Sequence, residues 1–219
     1  SVADAQRVTL VLAPSNLGLR PERGAQPGTW RAPQVLVNAG LAKALDAVEM
    51  IALERPAYAT DAQQGTRIRN GQTLREFSMK LAGTVSTTLR ADRFPVVVGG
   101  DCSVLLGALY GARLAGACGL VHVDGHCDFF HPGNYDSHSR LGSAAGMDLA
   151  LVSGRGEPLL TEWPVVGTPL VRDDEIIQVG ERNIRAPGSG PPYEDILRTK
   201  ITLLTVRRVL ADGIEITAR

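Results

Sequence analysis

The chain has 219 residues, of which 44% are hydrophobic and 21% charged. That length is enough for one well-packed α/β domain, which commonly reaches ~200 to 250 residues, and two full domains would be cramped. The 23 basic and 23 acidic residues cancel. No net field therefore favours nucleic acid or an anionic membrane surface, and we expect a small neutral or locally charged ligand.

Cysteine content and terminal composition predict a cytoplasmic location. Three cysteines, at positions 102, 118 and 127, are too few and too scattered for a disulfide framework and suit a reducing compartment. The opening SVADAQRVTL lacks the apolar core of a signal peptide, and no uninterrupted apolar run reaches the ~18 residues typical of a membrane span. We expect residues 1–219 to form a single domain without a membrane segment.

In chain order, short apolar runs alternate with longer helical patterns. The runs predict strands at 7–13, 48–54, 94–100, 118–124, 175–180 and 201–206. A Gly/Pro-rich loop at 14–28 follows the first strand, and such a long loop is typical of functional segments. Helices are predicted at 33–45, along the apolar face from Leu74 to Leu89, and at 103–115. This alternation predicts an α/β fold with a parallel sheet covered on both faces.

Two motifs fall where a predicted strand ends, namely GGDCS at 99–103 and DGHCDF at 124–129. Ligands of open α/β sheets collect at the carboxyl ends of the strands, and we expect Asp101 and Asp124 at neighbouring strand ends, on the same edge of the sheet. In an extended backbone Asp124, His126 and Asp128 project to one side, where two carboxylates would repel each other without a cation between them. Carboxylate and imidazole donors suit Mn²⁺, Zn²⁺ or Fe²⁺. The alternative is a polar loop with solvated carboxylates.

The stretches GGDCS, VDGHCDF and LGSAAGMDLALVSG together resemble the ureohydrolase family of arginase, agmatinase and formimidoylglutamase. The corresponding family pattern is Gly-Gly-Asp-His-Ser, Asp-Ala-His-x-Asp and a His-Gly-Met-Pro-Leu turn. The flanking LAPSNLGLRP and RAPQVLVNAGL are similar to the family's first strand, loop and helix. The resemblance implies a three-layer αβα fold of the arginase/deacetylase type with a mainly parallel sheet. It also implies a two-metal centre, usually of manganese, and hydrolysis of a guanidinium or amidine C–N bond in a small substrate.

Carried over position by position, the resemblance assigns roles to individual residues. Asp124 would bridge two ions, Asp128 would bind metal and His126 would bind one ion, and these three residues form the catalytic set. Cys102 would be a further metal ligand. Three polar residues lie where the family contacts substrate or transfers protons, namely Asn134, His138 and Ser143. His122, inside the fourth strand, is interpreted as a core histidine and not as a ligand.

Three positions depart from the family pattern. Cys102 replaces a histidine, and its softer thiolate favours Zn²⁺ over Mn²⁺, although a small buried cysteine that binds nothing is an equal alternative. Ala145 replaces the histidine of the His-Gly-Met turn, and His131 or His138 could substitute for its proton transfer. No Asp-x-Asp motif follows Val179.

These departures leave more than one hypothesis open. The missing motif predicts a domain incomplete at its carboxyl end, a shortened relative, or ligands supplied by a partner, and exposed sheet faces would favour a fragment or a homo-oligomer. With Cys102, Asp124, His126 and Asp128 as the only donors, we expect at most one tightly bound metal ion. The alternative function is a non-catalytic ureohydrolase-like protein that acts in binding or in assembly with an active homologue.

Overall fold

The computed structural model describes residues 7–183 and 190–218. Within these ranges all six predicted strands are present, each shorter than its apolar run. The strands are β1 (Val8–Leu12), β2 (Glu49–Ala52), β3 (Phe94–Val98), β4 (Leu120–Val123), β5 (Ile176–Val179) and β6 (Thr202–Leu204). The helices are α1 (Ala32–Asn38), α2 (Leu41–Ala44), α3 (Gly71–Arg90), α4 (Val104–Ala115), α5 (Asp148–Val152), α6 (Pro158–Thr161), α7 (Pro191–Leu197), α8 (Val206–Asp212) and α9 (Ile214–Thr217).

The strands form two parallel three-stranded sheets, in the orders β2-β1-β3 and β4-β5-β6. In the first sheet Val11 of β1 is in register with Ile51 on one side and Val97 on the other. In the second, His122 of β4 is in register with Gln178 of β5. Helices between the strands make these pairings possible, because parallel strands need long crossover connections. The predicted layered α/β fold with parallel strands is confirmed.

The first half of the chain matches the predicted helices more closely than the second half. The single helix predicted at 33–45 is divided into α1 and α2 because Gly40 takes a left-handed conformation, with φ 98°. Helices α5 to α9 were not predicted. They have only four to seven residues, which is too short for a helical period to stand out from loop composition.

Helices α3 and α4 pack closely through two glycines of α4. A Cβ atom on Gly107 would lie 2.8 Å from the Ser78 carbonyl oxygen, and one on Gly111 would lie 2.6 Å from the Ala82 carbonyl oxygen. Leu81 of α3 is fully buried against this contact. The missing side chains therefore allow the two helix backbones to approach each other.

Replacing Gly111 by alanine is expected to lower the free energy of unfolding by about 1–2 kcal/mol. The new methyl group overpacks the contact with α3, which outweighs the ~1 kcal/mol that alanine gains in helix propensity. Thermal denaturation should show a midpoint about 2–8 °C lower. Gly83→Ala is the matched control, since a Cβ atom at this exposed α3 position meets nothing within 4 Å and should raise the midpoint. A G111A midpoint at or above the wild-type value would contradict the close-contact interpretation.

The outer strands that precede the two motifs are β3 in the first sheet and β4 in the second. Within the described residues, no strand pairs with the outer edge of β3 or of β4. On β4 the side chains of Val121 and Val123 are 63% and 75% exposed. The prediction that β3 and β4 end as neighbouring strands is therefore wrong for strand pairing, since they belong to different sheets. The apolar exposure is of the kind expected for a sheet that lacks central strands.

Among the residues that the structure describes, no helix combines the length and the apolar character needed to cross a bilayer.

Candidate metal centre

The two strand-end motifs meet although their strands do not pair. Cys102 follows β3 by four residues, and Asp124 follows directly after β4. The Sγ atom of Cys102 lies 4.0 Å from Oδ2 of Asp124. Both motifs therefore lie at the same edge of the fold, as predicted, at the carboxyl ends of parallel strands where ligands of α/β proteins bind.

Asp101, the acidic residue of GGDCS, has a structural role. Its buried carboxylate accepts hydrogen bonds from the backbone N–H of Ser103 at 2.9 Å and of Gly18 at 3.3 Å. A Cβ atom on Gly18 would lie 2.2 Å from Oδ1 of Asp101, so only glycine fits there. These contacts hold the loop after β1 against the motif and fix the backbone on which Cys102 stands.

The DGHCDF loop leaves the extended conformation directly after β4. Asp128 has φ +42°, and the Gln178 side chain donates to the carbonyl oxygens of Asp124 at 2.9 Å and His126 at 3.0 Å. Strand alternation therefore does not determine where the loop's side chains point. Asp124 and Asp128 converge, whereas the His126 side chain is 53% exposed, with Nδ1 3.4 Å from Oδ1 of Asp124. Its assignment as a metal ligand remains a prediction.

Two overlapping groups of side chains have the composition of metal sites. Cys102, Asp124 and Asp128 form the first, and His122, Asp128 and Asp148 form the second. Within each group the donor atoms lie within 4.8 Å of one another. Asp128 belongs to both groups, and His126 belongs to neither.

Sequence reasoning missed two of these donors. His122 was interpreted as a core histidine, and it is buried, but its ring faces Asp148. Asp148 was not considered, although it is an acidic residue in the apolar stretch MDLALV and stands where the resembled turn has proline. An unpaired carboxylate in a buried helix was the available sign, because charged residues are rarely buried without a partner.

The charges of the cluster act on one another through a buried environment. Burial and the neighbouring carboxylates of Asp148 and Asp124 raise the pKa of Asp128 to about 8. Burial also raises the pKa of Asp148. Burial opposes the charged form of His122, but the carboxylates of Asp148, Asp128 and Asp124 outweigh it and raise the His122 pKa. In the absence of a cation, the cluster therefore holds protons that free carboxylic acids would lose.

The Cys102 thiol is affected in the same way. Its side chain is open to solvent at one face, yet the protein packed around it and the carboxylates of Asp148 and Asp128 raise the pKa of Cys102 to about 12. A divalent cation would reverse this effect, because a coordinating thiol is deprotonated. A carboxylate-rich group with one thiol therefore fits a divalent metal ion.

Replacing Cys102 by histidine is expected to raise Mn²⁺ affinity relative to Zn²⁺ by at least ~10-fold, or ~1.4 kcal/mol. The change substitutes a donor that both ions accept for a soft thiolate that favours zinc. Competitive equilibrium dialysis against both ions measures the ratio. Cys118→Ser, at a thiol outside both groups, is the control. An unchanged ratio in C102H would mean that Cys102 is not a ligand.

The predicted substrate residues lie in different surroundings. The Asn134 amide is fully used in hydrogen bonds, since it donates to the Phe129 carbonyl oxygen and to Asp195 of α7 and accepts from the His131 N–H. His138 is exposed, and its carbonyl oxygen accepts a hydrogen bond from Arg67. Ser143 lines a cleft of about 550 Å³ together with other residues, including Arg20, Arg69, Arg140 and Ala145. Of the three, Ser143 borders this cleft, and the role of each in substrate binding remains a prediction.

Neither His131 nor His138, the two proposed substitutes for the missing histidine, belongs to either group of metal donors. His131 Nε2 is 3.1 Å from Asp195 Oδ2, and its Nδ1 accepts a hydrogen bond from Gly133. Burial lowers the His131 pKa. Ala145 is buried, and its backbone N–H donates to the Gly18 carbonyl oxygen at 3.1 Å. The side chain at this position therefore has no group that can carry a proton.

Parallel sheets with flanking helices and acidic strand ends define the class of fold, and solved structures of arginases share it. The arginase of Bacillus caldovelox superimposes with a TM-score of 0.77 at 24% identity, covering 96% of this chain and 68% of that one. Formimidoylglutamase from Bacillus subtilis gives a TM-score of 0.64 at 14% identity, covering 99% of this chain and 60% of that one. The three-layer α/β fold of these enzymes is thus the fold of this protein.

Sequence comparison identifies the family. The model of the Arginase family matches residues 6–219. The arginase of Brevibacillus brevis is 30% identical over 186 residues, covering 82% of this chain and 58% of that protein. The arginase of Bacillus caldovelox is 33% identical over 125 residues, covering 56% and 40%. The chain therefore belongs to the arginase family and spans about half the length of the curated relatives that it matches.

Proposed function

We propose that this protein is a metal-dependent hydrolase that cleaves a guanidinium or amidine C–N bond in a small substrate. The observation that carries the proposal is the convergence of Cys102, Asp124 and Asp128 at the carboxyl ends of β3 and β4. Membership of the arginase family supports it. We further propose Mn²⁺ as the family's usual metal, with Zn²⁺ as the ion that Cys102 would favour.

The side chains of the proposed site would have different roles in hydrolysis. A guanidinium carbon is a poor electrophile and neutral water a poor nucleophile, and a bound divalent ion lowers the pKa of water toward ~7. Asp124 and Asp128 would hold the ion and, as anions, would attract a cationic substrate. The exposed imidazole of His126 has Nδ1 3.4 Å from Oδ1 of Asp124. We propose that it accepts or delivers a proton beside this carboxylate.

We also propose that the assembled site needs additional strands. The uncovered edges of β3 and β4 and the exposed Val121 and Val123 would be covered by strands from further sequence or from another copy of the chain. By the family resemblance, such a strand would end in Asp-x-Asp and add carboxylate ligands. This proposal includes a homo-oligomer as one means of completing the site.

Release of urea, ammonia or formamide tests the hydrolase proposal. Arginine, agmatine, guanidinobutyrate, guanidine and formimidoylglutamate should each be supplied with Mn²⁺, Zn²⁺, Co²⁺ and Ni²⁺ in turn. We expect turnover with at least one pair, its loss in Asp124→Asn, and its retention in Asp174→Asn, which changes a carboxylate paired on the surface with Arg172.

A second function is favoured by Ala145, which leaves the turn without a proton carrier. A protein of this kind would bind metal or ligand, or assemble with an active homologue, without turnover. Metal binding with no product from any substrate and metal pair would support this function over the hydrolase.

A further inference from the structure

We propose that His122, Asp128 and Asp148 form a second cation site, separate from the site of Cys102 and Asp124 and sharing Asp128 with it. The donor atoms of the three side chains lie within 4.8 Å of one another. The inference depends on the proposed metal centre only through Asp128, because His122 and Asp148 are outside the first donor group. The ion that we propose for this site is a divalent transition-metal ion.

The burial of these groups argues that something is bound between them. Asp148, His122 and Asp128 are only 1%, 8% and 9% exposed. Oδ1 of Asp148 is buried without a hydrogen-bond partner among the described residues. Buried polar atoms normally have partners, and an unpaired one destabilises the fold. A cation between the three side chains would provide the partner that this oxygen lacks.

A hydrogen bond between His122 and Asp148 does not satisfy the buried carboxylate. Nε2 of His122 and Oδ1 of Asp148 are 3.7 Å apart, which is too far for a hydrogen bond. Among the residues whose positions are described, no lysine or arginine forms an ion pair with Asp128 or Asp148. Two buried carboxylates therefore face one imidazole, and a divalent ion supplies the charge that balances them.

The three donors stand on separate elements that hold them together. His122 is on β4, beside Gln178 of β5, and Asp148 is the first residue of α5. The Asp128 loop is tied to α5, since the Ala150 N–H donates to the Asp128 carbonyl oxygen at 3.3 Å. Two carboxylates and an imidazole suit Mn²⁺, Zn²⁺ or Fe²⁺, and three protein ligands leave a coordination position open.

The described residues would then hold two ions, with Asp128 shared between the group of Cys102 and Asp124 and the group of His122 and Asp148. Carboxylates from an additional strand would complete the coordination of these ions. This differs from the expectation of at most one tightly bound ion, which counted neither His122 nor Asp148 as a donor.

A Co²⁺ titration of the 219-residue chain tests the proposal. Equilibrium dialysis gives the number of bound ions, and sulfur-to-cobalt charge-transfer absorption reports the ion at Cys102 alone. We expect two equivalents in the wild type. His122→Gln and Asp148→Asn should each lose one equivalent and keep the sulfur band, whereas Cys102→Ser should lose the band and keep the other equivalent.

The chain offers a matched control in a second histidine–aspartate pair. His131 Nε2 is 3.1 Å from Asp195, and neither residue belongs to a donor group. His131→Gln and Asp195→Asn should keep both equivalents. Circular dichroism melts establish that each variant is folded. If neither H122Q nor D148N folds, the second site is tested instead by paramagnetic broadening of the His122 imidazole signals by Co²⁺ in Cys102→Ser, which lacks the first ion.

The results that would overturn the second cation site differ from those that would overturn the hydrolase function. One equivalent in the wild type, two equivalents retained in both folded variants, or His122 signals that stay sharp would each remove the second site. Absence of the sulfur band would instead count against the first site. Absence of turnover would count against the hydrolase alone, since stoichiometry is measured without substrate.

Discussion

Replacing Asp128 by alanine is expected to lower the affinity for divalent metal ions by at least ~100-fold. Removing even an outer-shell partner typically costs 10–100-fold, and Asp128 is the carboxylate that both donor groups share. The variant leaves each group with only two of its three donors. Isothermal titration with Zn²⁺ and Mn²⁺ measures the loss.

Asp174→Ala is the control for this change. Its carboxylate pairs with Arg172 at the surface, so its removal should leave metal affinity unaltered. Asp128→Asn adds a second comparison, because it keeps the shape of the side chain while removing the charge. If D128A binds either ion within threefold of the wild-type affinity, the structure's donor groups are not the metal site.

The metal-free protein is expected to lose stability as pH rises from about 4 to about 8. The Asp128 pKa is raised to about 8, well above the ~3.9 of an unfolded aspartate, so the folded state keeps a proton that the unfolded state has released. Stability falls wherever the folded state binds more protons, by up to ~1.4 kcal/mol per pH unit for one group. The raised pKa values of Asp148 and His122 act in the same direction.

Urea denaturation in the presence of a chelator, at pH values across this window, measures the effect. Adding Zn²⁺ should restore stability at about pH 8 and have little effect at about pH 5, because protons occupy the carboxylates at low pH. Asp128→Asn should flatten the profile. If the free energy of unfolding of the metal-free protein stays constant or rises over this pH range, repulsion among the buried carboxylates does not destabilise the fold.

Much of the fold was predictable because each strand lies in a short apolar run bounded by polar or turn-forming residues, and all six were found from sequence. Their burial was not predictable in the same way, since β1 is buried along most of its length whereas β4 leaves Val121 and Val123 exposed. The helices α5 to α9 were not found from sequence, since the packing around them and not their own four to seven residues determines their conformation. The division of the predicted helix at Gly40 shows the same limit, because a left-handed glycine leaves no trace in hydrophobic periodicity.

For the site, the sequence by itself determined the chemistry and its position on the fold. GGDCS and DGHCDF follow strands, so Cys102, Asp124 and Asp128 were expected at one edge, and family membership followed from the same motifs. Only the tertiary structure decided which side chains meet. The strand alternation ended with β4 at Val123, which left His126 outside the donor groups. Folding then brought Asp148 to Asp128 and His122, which lie 20 and 26 positions before it, because such distant contacts depend on packing that no local pattern encodes.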